Sequence, residues 1–245
     1  HFWLSEDQFA RLAPHLPTDT RGLPRVDDRR VISGFVHVLK SGGRWADAPS
    51  VYGLRKTLYN RFVRWAAKGV WSDIFDALAS AGGPPAEVLI DSTAVRADRC
   101  AAGGKGGSAA RRSAAHAGRA DHQDPRPDGC LLRPVAFLLT GGQVADCTAA
   151  DALLDQMPVT SILHGDKGYD SNAVRRKIEA RGAAPNIPPK AQQALEELLL
   201  APSLPGPQRH RTHVRADQRL PTRYDRLASN FLAAVCLVAT VCYWL

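Results

Sequence analysis

The sequence predicts an N-terminal helical region, helix-turn-helix-like in outline, followed by an α/β domain. Three observations carry this. Apolar residues recur at helical spacing through the first eighty positions. Gly82-Gly-Pro-Pro85 then breaks the pattern as a linker. Beyond it, short apolar runs bounded by turn residues read as strands, and two of them each deliver an aspartate.

In the helical region, Ser5-Glu-Asp opens a short helix with an N-cap and an acidic first turn, and Pro14 and Pro17 end it. Asp27-Asp28 opens a second helix with Val31, Ile32, Phe35, Val36 and Leu39 at helical spacing, stopped by Gly42-Gly43. A third helix spans Thr57 to Ala67. It carries Leu58, Phe62 and Trp65 on one side and Arg55, Lys56, Arg61 and Arg64 largely on the other. Val70 to Leu78 is a fourth. Helix, turn, then a basic and aromatic helix fits a DNA reader. It fits equally a small helical bundle with solvated arginines.

The α/β part begins at Val88-Leu-Ile-Asp91. Pro134-Val-Ala-Phe-Leu-Leu-Thr-Gly-Gly142 is a second strand, and Ile162-Leu-His164 a third that leads to Asp166. Ser171-Asn172 caps a helix through Arg181 that bears Arg175, Arg176 and Lys177, and Ala183–Ile187 is a short edge strand. Two stretches, 101–130 and 191–221, show no periodicity and read as irregular, apart from one short helix over Gln192–Leu200. The domains are therefore 1–82 and 83–245.

Ligands of open α/β sheets bind at the carboxyl ends of strands, where Asp91 and Asp166 are expected. Two carboxylates from separate strands suggest a divalent-metal site working on phosphate. A strand-end aspartate that merely caps a turn is the plainer alternative. Lys167, beside Asp166 in Gly165-Asp-Lys-Gly-Tyr-Asp170, is placed to meet a phosphate, or else is a solvated turn lysine. Asp170 reads as a helix-start residue, His164 as a strand-end packing residue and Gly103-Gly-Lys-Gly-Gly107 as a linker without phosphate-loop spacing.

A net charge of +8 with no basic tail favours an anionic partner. Five cysteines without a Cys-x-x-Cys argue against a disulfide framework or zinc site and fit a reducing cytosol. No signal-peptide pattern opens the chain. The apolar terminal stretch Asn230–Leu245 is short for a membrane span, which needs roughly 20 residues, and reads as a buried helix.

Taken together, these residues resemble the DDE transposases of bacterial insertion sequences, the group typified by insertion sequence five. The matching pieces are Trp3-Leu-Ser-Glu-Asp-Gln, Asp27-Asp-Arg-Arg-Val-Ile-Ser-Gly34, Gly43-Arg-Trp-Ala-Asp-Ala-Pro49 and Thr57-Leu-Tyr-Asn-Arg-Phe-Val-Arg-Trp65. They continue in Ile90-Asp-Ser-Thr-Ala-Val95, Leu138-Leu-Thr-Gly-Gly-Gln-Val-Ala-Asp146, Gly165-Asp-Lys-Gly-Tyr-Asp170 and Tyr224-Asp-Arg-Leu-Ala228. The resemblance implies a helical DNA-binding region and a ribonuclease-H-like mixed-sheet domain, here partly disrupted. It implies strand cleavage and transfer dependent on Mg2+ (or Mn2+), with Asp91 and Asp166 as catalytic acids and metal ligands. Lys56, Arg61, Arg64, Lys167, Arg175 and Arg176 are the expected DNA contacts. The implied partners are double-stranded DNA at terminal inverted repeats and target sites, and a second copy of the chain on DNA. No membrane is involved, and the implied location is the bacterial cytoplasm at the nucleoid.

The third acid of the family is a glutamate in a motif like Arg-Asn-Ala-Ile-Glu-Arg-Met-Phe. Here that place holds Pro207-Gln-Arg-His-Arg-Thr-His-Val214. Encoded as CCG CAA CGC CAT CGA ACG CAT GTT and read one base later into the next codon, these residues become that motif. The glutamate codon straddles Arg211 and Thr212. Ala120 to Cys130, suitably encoded, likewise becomes Arg-Thr-Thr-Lys-Ile-His-Ala-Leu-Thr-Asp, similar to the family's second strand. Both misfit windows thus read as frame-shifted and later restored. Glu196 and Glu197 are then accidental acids, a sheet strand is damaged, and activity is lost or weak. A non-catalytic DNA-binding remnant is the alternative, and a misfolding-prone product without a role is a further one. Sequencing the gene tests the idea: codons that cannot spell these motifs one nucleotide out of frame would sink it.

Overall fold

The computed structural model describes residues 1–17, 27–96, 114–124, 131–141, 144–190 and 227–245. The chain divides into two compact units, one of His1–Ala79, Arg96–Ser113 and Arg215–Leu245, the other of Ser80–Val95 and Ala114–Val214.

The first unit is helical. Helix α1 (Glu6–Leu12) starts at a capping box: the Ser5 hydroxyl accepts from the Gln8 amide at 3.1 Å, and the Gln8 side chain accepts from the Ser5 amide at 3.0 Å. Helix α2 (Asp28–Ser41) is capped by Asp27 and ends on Gly42 at φ 67°. Two single 3-10 turns, Trp45–Asp47 and Ser50–Tyr52, lead to α3 (Arg55–Ala67) and α4 (Val70–Ser80). The core is aromatic. The Phe35 ring lies 5.7–6.4 Å from Phe62, Trp71, Trp45 and Trp65, mostly edge to face. Gly34 is required where α2 meets Tyr52, since a β-carbon there would lie 2.8 Å from Tyr52 Cβ.

The terminal segment forms α7 (Ala228–Ala239), continued by a π-helical turn over Thr240–Trp244. Expected in the second domain, it belongs instead to the helical unit, packing on α2 and α3, with Cys236 Sγ 3.9 Å from the Ser72 hydroxyl. Every residue from Ala233 to Ala239 is buried. A helix apolar on all sides must be surrounded by other elements to escape water. Among the described residues no helix is long and apolar enough to cross a membrane.

The second unit is a five-stranded sheet with helices. Its strands are β1 (Glu87–Arg96), β2 (Ala114–Asp124), β3 (Leu131–Gly141), β4 (Ile162–His164) and β5 (Ala184–Asn186), in the order β3-β2-β1-β4-β5. The β2–β3 pair is antiparallel, whereas β4 runs parallel to both β1 and β5. This mixed order is the ribonuclease-H-like arrangement. Helices α5 (Asp146–Gln156) and α6 (Asn172–Ala180) complete the unit. Its core gathers Val88 and Ile90 of β1, Leu153 and Leu154 of α5, Leu163 of β4, and Val174 and Ile178 of α6.

One stretch departs from expectation. Residues 114–124, read as irregular, form β2, in register with β3 from Ala115 opposite Gly141 to Asp124 opposite Leu131. The apolar β3 offers a long row of backbone partners, and that pairing forms a strand without alternation in its neighbour. The register shifts between Ala120 and Asp121, where Pro134, which has no amide hydrogen, lies opposite. The Gln192–Leu200 helix lies outside the described residues.

Arg61 corrects another expectation. It is buried, not presented to solvent, and its Nη1 donates to Asp28 Oδ1 at 2.8 Å while the guanidinium lies over Trp65. Its side chain and that of Asp28 are 8% and 13% exposed. The helical spacing does not reveal this, because Asp28 sits thirty-three residues away in sequence. Arg61→Ala or Asp28→Ala, each breaking this largely buried ion pair, is expected to cost about 3 kcal/mol in denaturant unfolding. Unchanged stability in both variants would refute the assignment.

Candidate active site

Asp91 is the fifth residue of β1, not its end, because β1 continues to Arg96. Its pairing with β4, however, covers only Glu87 to Leu89. Asp91 therefore lies just beyond the carboxyl edge of the parallel part of the sheet. Asp166 follows β4 by two residues and caps the 3-10 turn Lys167–Tyr169, its Oδ1 accepting from the Gly168 amide at 2.8 Å. The Asp91 Oδ1 accepts from the Ser92 amide at 2.9 Å.

A third carboxylate joins them. Asp146 is the first residue of α5. A β-carbon on Gly168 would lie 2.8 Å from Asp146 Oδ2 and 3.0 Å from Asp166 Oδ1. The two carboxylates thus converge over a residue that has no side chain to hold them apart. Tyr169, 1% exposed, packs beneath and hydrogen-bonds the Ser92 side chain. Burial chiefly, then the fields of Asp146, Asp91 and Asp166, push the Tyr169 phenol well above its ordinary range. The phenol stays protonated at any physiological pH, so it can donate a hydrogen bond beside the three acids.

The 166–170 turn is held by Asp170, whose side chain is fully buried. Its Oδ1 accepts from Arg175 Nε at 2.9 Å and its Oδ2 from the Lys190 amide at 2.6 Å. Lys190 Nζ donates to the Asp170 carbonyl at 2.9 Å, and Arg175 Nη2 to the Ile187 carbonyl at 2.7 Å. Arg175, expected as a DNA contact, is thereby an internal brace. An aspartate five residues ahead of it captures it, which its place in a basic triplet conceals. Lys167 and Arg176 are exposed, as are Lys56 and Arg64 on α3. His164 sits in a polar row across the strands, with Nε2 3.3 Å from Glu87 Oε2 and Nδ1 3.0 Å from the Asn186 amide nitrogen.

The structure thus brings Asp91 and Asp166 into one neighbourhood and adds Asp146, Ser92 and Tyr169 to it. Asp146 and Tyr169 stand inside the motifs quoted above, but nothing in their spacing marks them as site residues. The window over 207–214 lies outside the described residues. Among the described residues, no three His, Cys, Asp or Glu side chains form a group that could hold a metal ion. The donor chemistry still suits Mg2+. That ion is held through one or two carboxylates, with waters and substrate phosphates completing its shell.

Asp170→Ala removes the buried carboxylate that Arg175 and the Lys190 amide bind, and frees the turn that carries Asp166. It is expected to lower the unfolding free energy by about 3–5 kcal/mol. A melting curve that matches the parent chain would show that the brace is not needed.

Comparison with known proteins supplies the family. Residues 4–75 match the family described as "Putative transposase of IS4/5 family", and residues 82–233 the family described as "Transposase DDE domain". An uncharacterized protein, y4sN, of Sinorhizobium fredii is 34% identical over 104 residues, 42% of this chain and 82% of that protein. The Drosophila P element transposase strand transfer complex aligns at 13% identity and a TM-score of 0.32, over 73% of this chain. The chain spans 43% of that protein's length, and so slight a likeness carries no argument. The second match takes in both Asp91 and Asp166 and more than half of the chain: the protein belongs to the DDE transposase family.

Proposed function

We propose that the chain is an insertion-sequence transposase whose cleavage chemistry is impaired. The observation that supports this best is that Asp91 and Asp166 both lie just past the paired residues of β1 and β4, each within electrostatic reach of Tyr169. Asp91 and Asp166 would hold Mg2+ (or Mn2+). The ion, when bound, makes a nucleophile of water and steadies the leaving oxygen of a phosphodiester. The remaining parts belong to the chain. The capped turn after β4 fixes the Asp166 carboxylate through the Gly168 amide. Tyr169 and Ser92 tie that turn to β1 next to Asp91. Lys167, exposed beside Asp166, meets a substrate phosphate.

The impairment rests on sequence. Pro207–Val214, which stands at the third acid's place, contains neither Asp nor Glu. Losing one carboxylate of three costs orders of magnitude in rate. The partner is double-stranded DNA at transposon ends, engaged by exposed cations such as Lys56, Arg64, Lys167 and Arg176, with two copies of the chain on the DNA. The place of action is the cytoplasm, at the nucleoid. The same gap favours a second reading, a non-catalytic remnant that occupies transposon ends.

A gel shift on the cognate terminal repeats, run beside a magnesium-dependent cleavage assay, tests both readings. The chain is expected to bind and to cut weakly, and Asp91→Ala or Asp166→Ala should remove the residual cutting. Putting Arg-Asn-Ala-Ile-Glu-Arg-Met-Phe in place of residues 207–214 should raise the rate by orders of magnitude. Full-rate cleavage by the unaltered chain would overturn the impairment. Binding with no cleavage in any variant would establish the remnant.

A further inference from the structure

Helix α3 is two-sided in a way the helical unit's own packing does not use up. Leu58, Arg61, Phe62, Trp65 and Ala66 face the core. Arg55, Lys56, Tyr59, Asn60, Arg64 and Lys68 are exposed, spaced so that they line one continuous stripe along the helix and its cap. The helix contains no acidic residue, and among the described residues none of Arg55, Lys56, Arg64 and Lys68 is in an ion pair. Midway along the stripe, Tyr59, Asn60, Val63 and Arg64 line an open depression. Tyr59 is 42% exposed yet braced from behind, its ring 5.9 Å from Trp45, which in turn lies 4.9 Å from Phe62. The buried Arg61–Asp28 pair fixes the rotation of α3 about its axis, so the stripe has a set direction.

We propose that this outer face of α3 enters the DNA major groove, with Asn60 and Tyr59 reading base edges and Arg55, Lys56, Arg64 and Lys68 holding flanking phosphates. Thirteen residues make a rod about 20 Å long, and the major groove, about 12 Å wide, admits one helix. An asparagine amide pairs two ways with adenine, donating to N7 and accepting from the N6 amine. Cations at both ends of the stripe bracket that amide, which fits a groove with phosphate walls better than a protein surface. The inference rests on the DNA-binding reading above and adds to it which residues choose the sequence.

The test uses the full chain and a random-sequence duplex library, followed by titration of the selected duplex and a scrambled one at several salt concentrations. Asn60→Ala is expected to reduce discrimination between the two duplexes roughly tenfold or more. Tyr59→Ala should reduce it less. Lys56→Ala and Arg64→Ala should weaken both duplexes alike and lower the salt slope by about one each. All four positions are exposed, so melting temperatures should stay at the parent value. If the parent chain selects a sequence but no α3 variant alters discrimination or salt slope, this inference falls and the DNA-binding reading stands. If α3 variants change only self-association, the face is a protein interface and the inference also falls. A parent chain that selects no duplex overturns both.

Discussion

The acidic edge of this protein depends on a short stretch of parallel pairing. Three residues of β4 run alongside Glu87 to Leu89 of β1, and no more. Parallel strands present both of their carboxyl ends to the same side, so the residues that follow each strand meet there. Asp91 comes two positions after the last paired residue of β1, and Asp166 two positions after the end of β4. With one strand reversed, the two carboxylates would lie at opposite edges of the sheet. The lack of a β-carbon at Gly168 lets Asp146 approach Asp166, but the direction of β4 is what puts Asp166 on the same side as Asp91.

Within each unit, the arginines divide by what lies behind them and not by their own chemistry. Arg61 and Arg175 each find a carboxylate that is itself largely out of water, and each becomes structural. Burying such a pair is seldom a large net gain over apolar packing. It does, however, specify one arrangement: the turn of α3 about its axis in one case, the loop carrying Asp166 in the other. Arg64 and Arg176, with the same side chain and similar sequence surroundings, stay in solvent.

This contrast shows how far the sequence could be read. The helix starts were legible because Ser5, Asp27 and Ser171 are caps whose chemistry is local. That Asp91 and Asp166 follow apolar strand residues was legible because the runs Val88-Leu-Ile and Ile162-Leu are local and uninterrupted. Three features were not. Arg61 needs Asp28 from another helix, a partner that periodicity cannot indicate. Asp146 reaches the site only because α5 starts where the turn after β4 passes. The strand β2 has no alternation and exists through its pairing with β3, so nothing within residues 114–124 announces it. In each case the deciding contact is distant along the chain, and local propensity is silent about it.

The placement of α7 has a consequence for how the protein is made. Its seven consecutive buried residues close the core formed by α2, α3 and α4, although about 150 residues separate them in the chain. On the ribosome the first helices emerge long before their cover, and they hold an open apolar face while the whole sheet unit is synthesised. At 5–20 residues per second that wait lasts on the order of ten seconds or more. The contacts of α7 with α2, α3 and α4 can form only after the sheet unit has been translated, so the helical core closes late. A lesion in the gene that failed to restore the frame before residue 228 would strip away this cover along with the residues it directly altered. Helix α3 would then lose its support from behind without a single change in its own sequence.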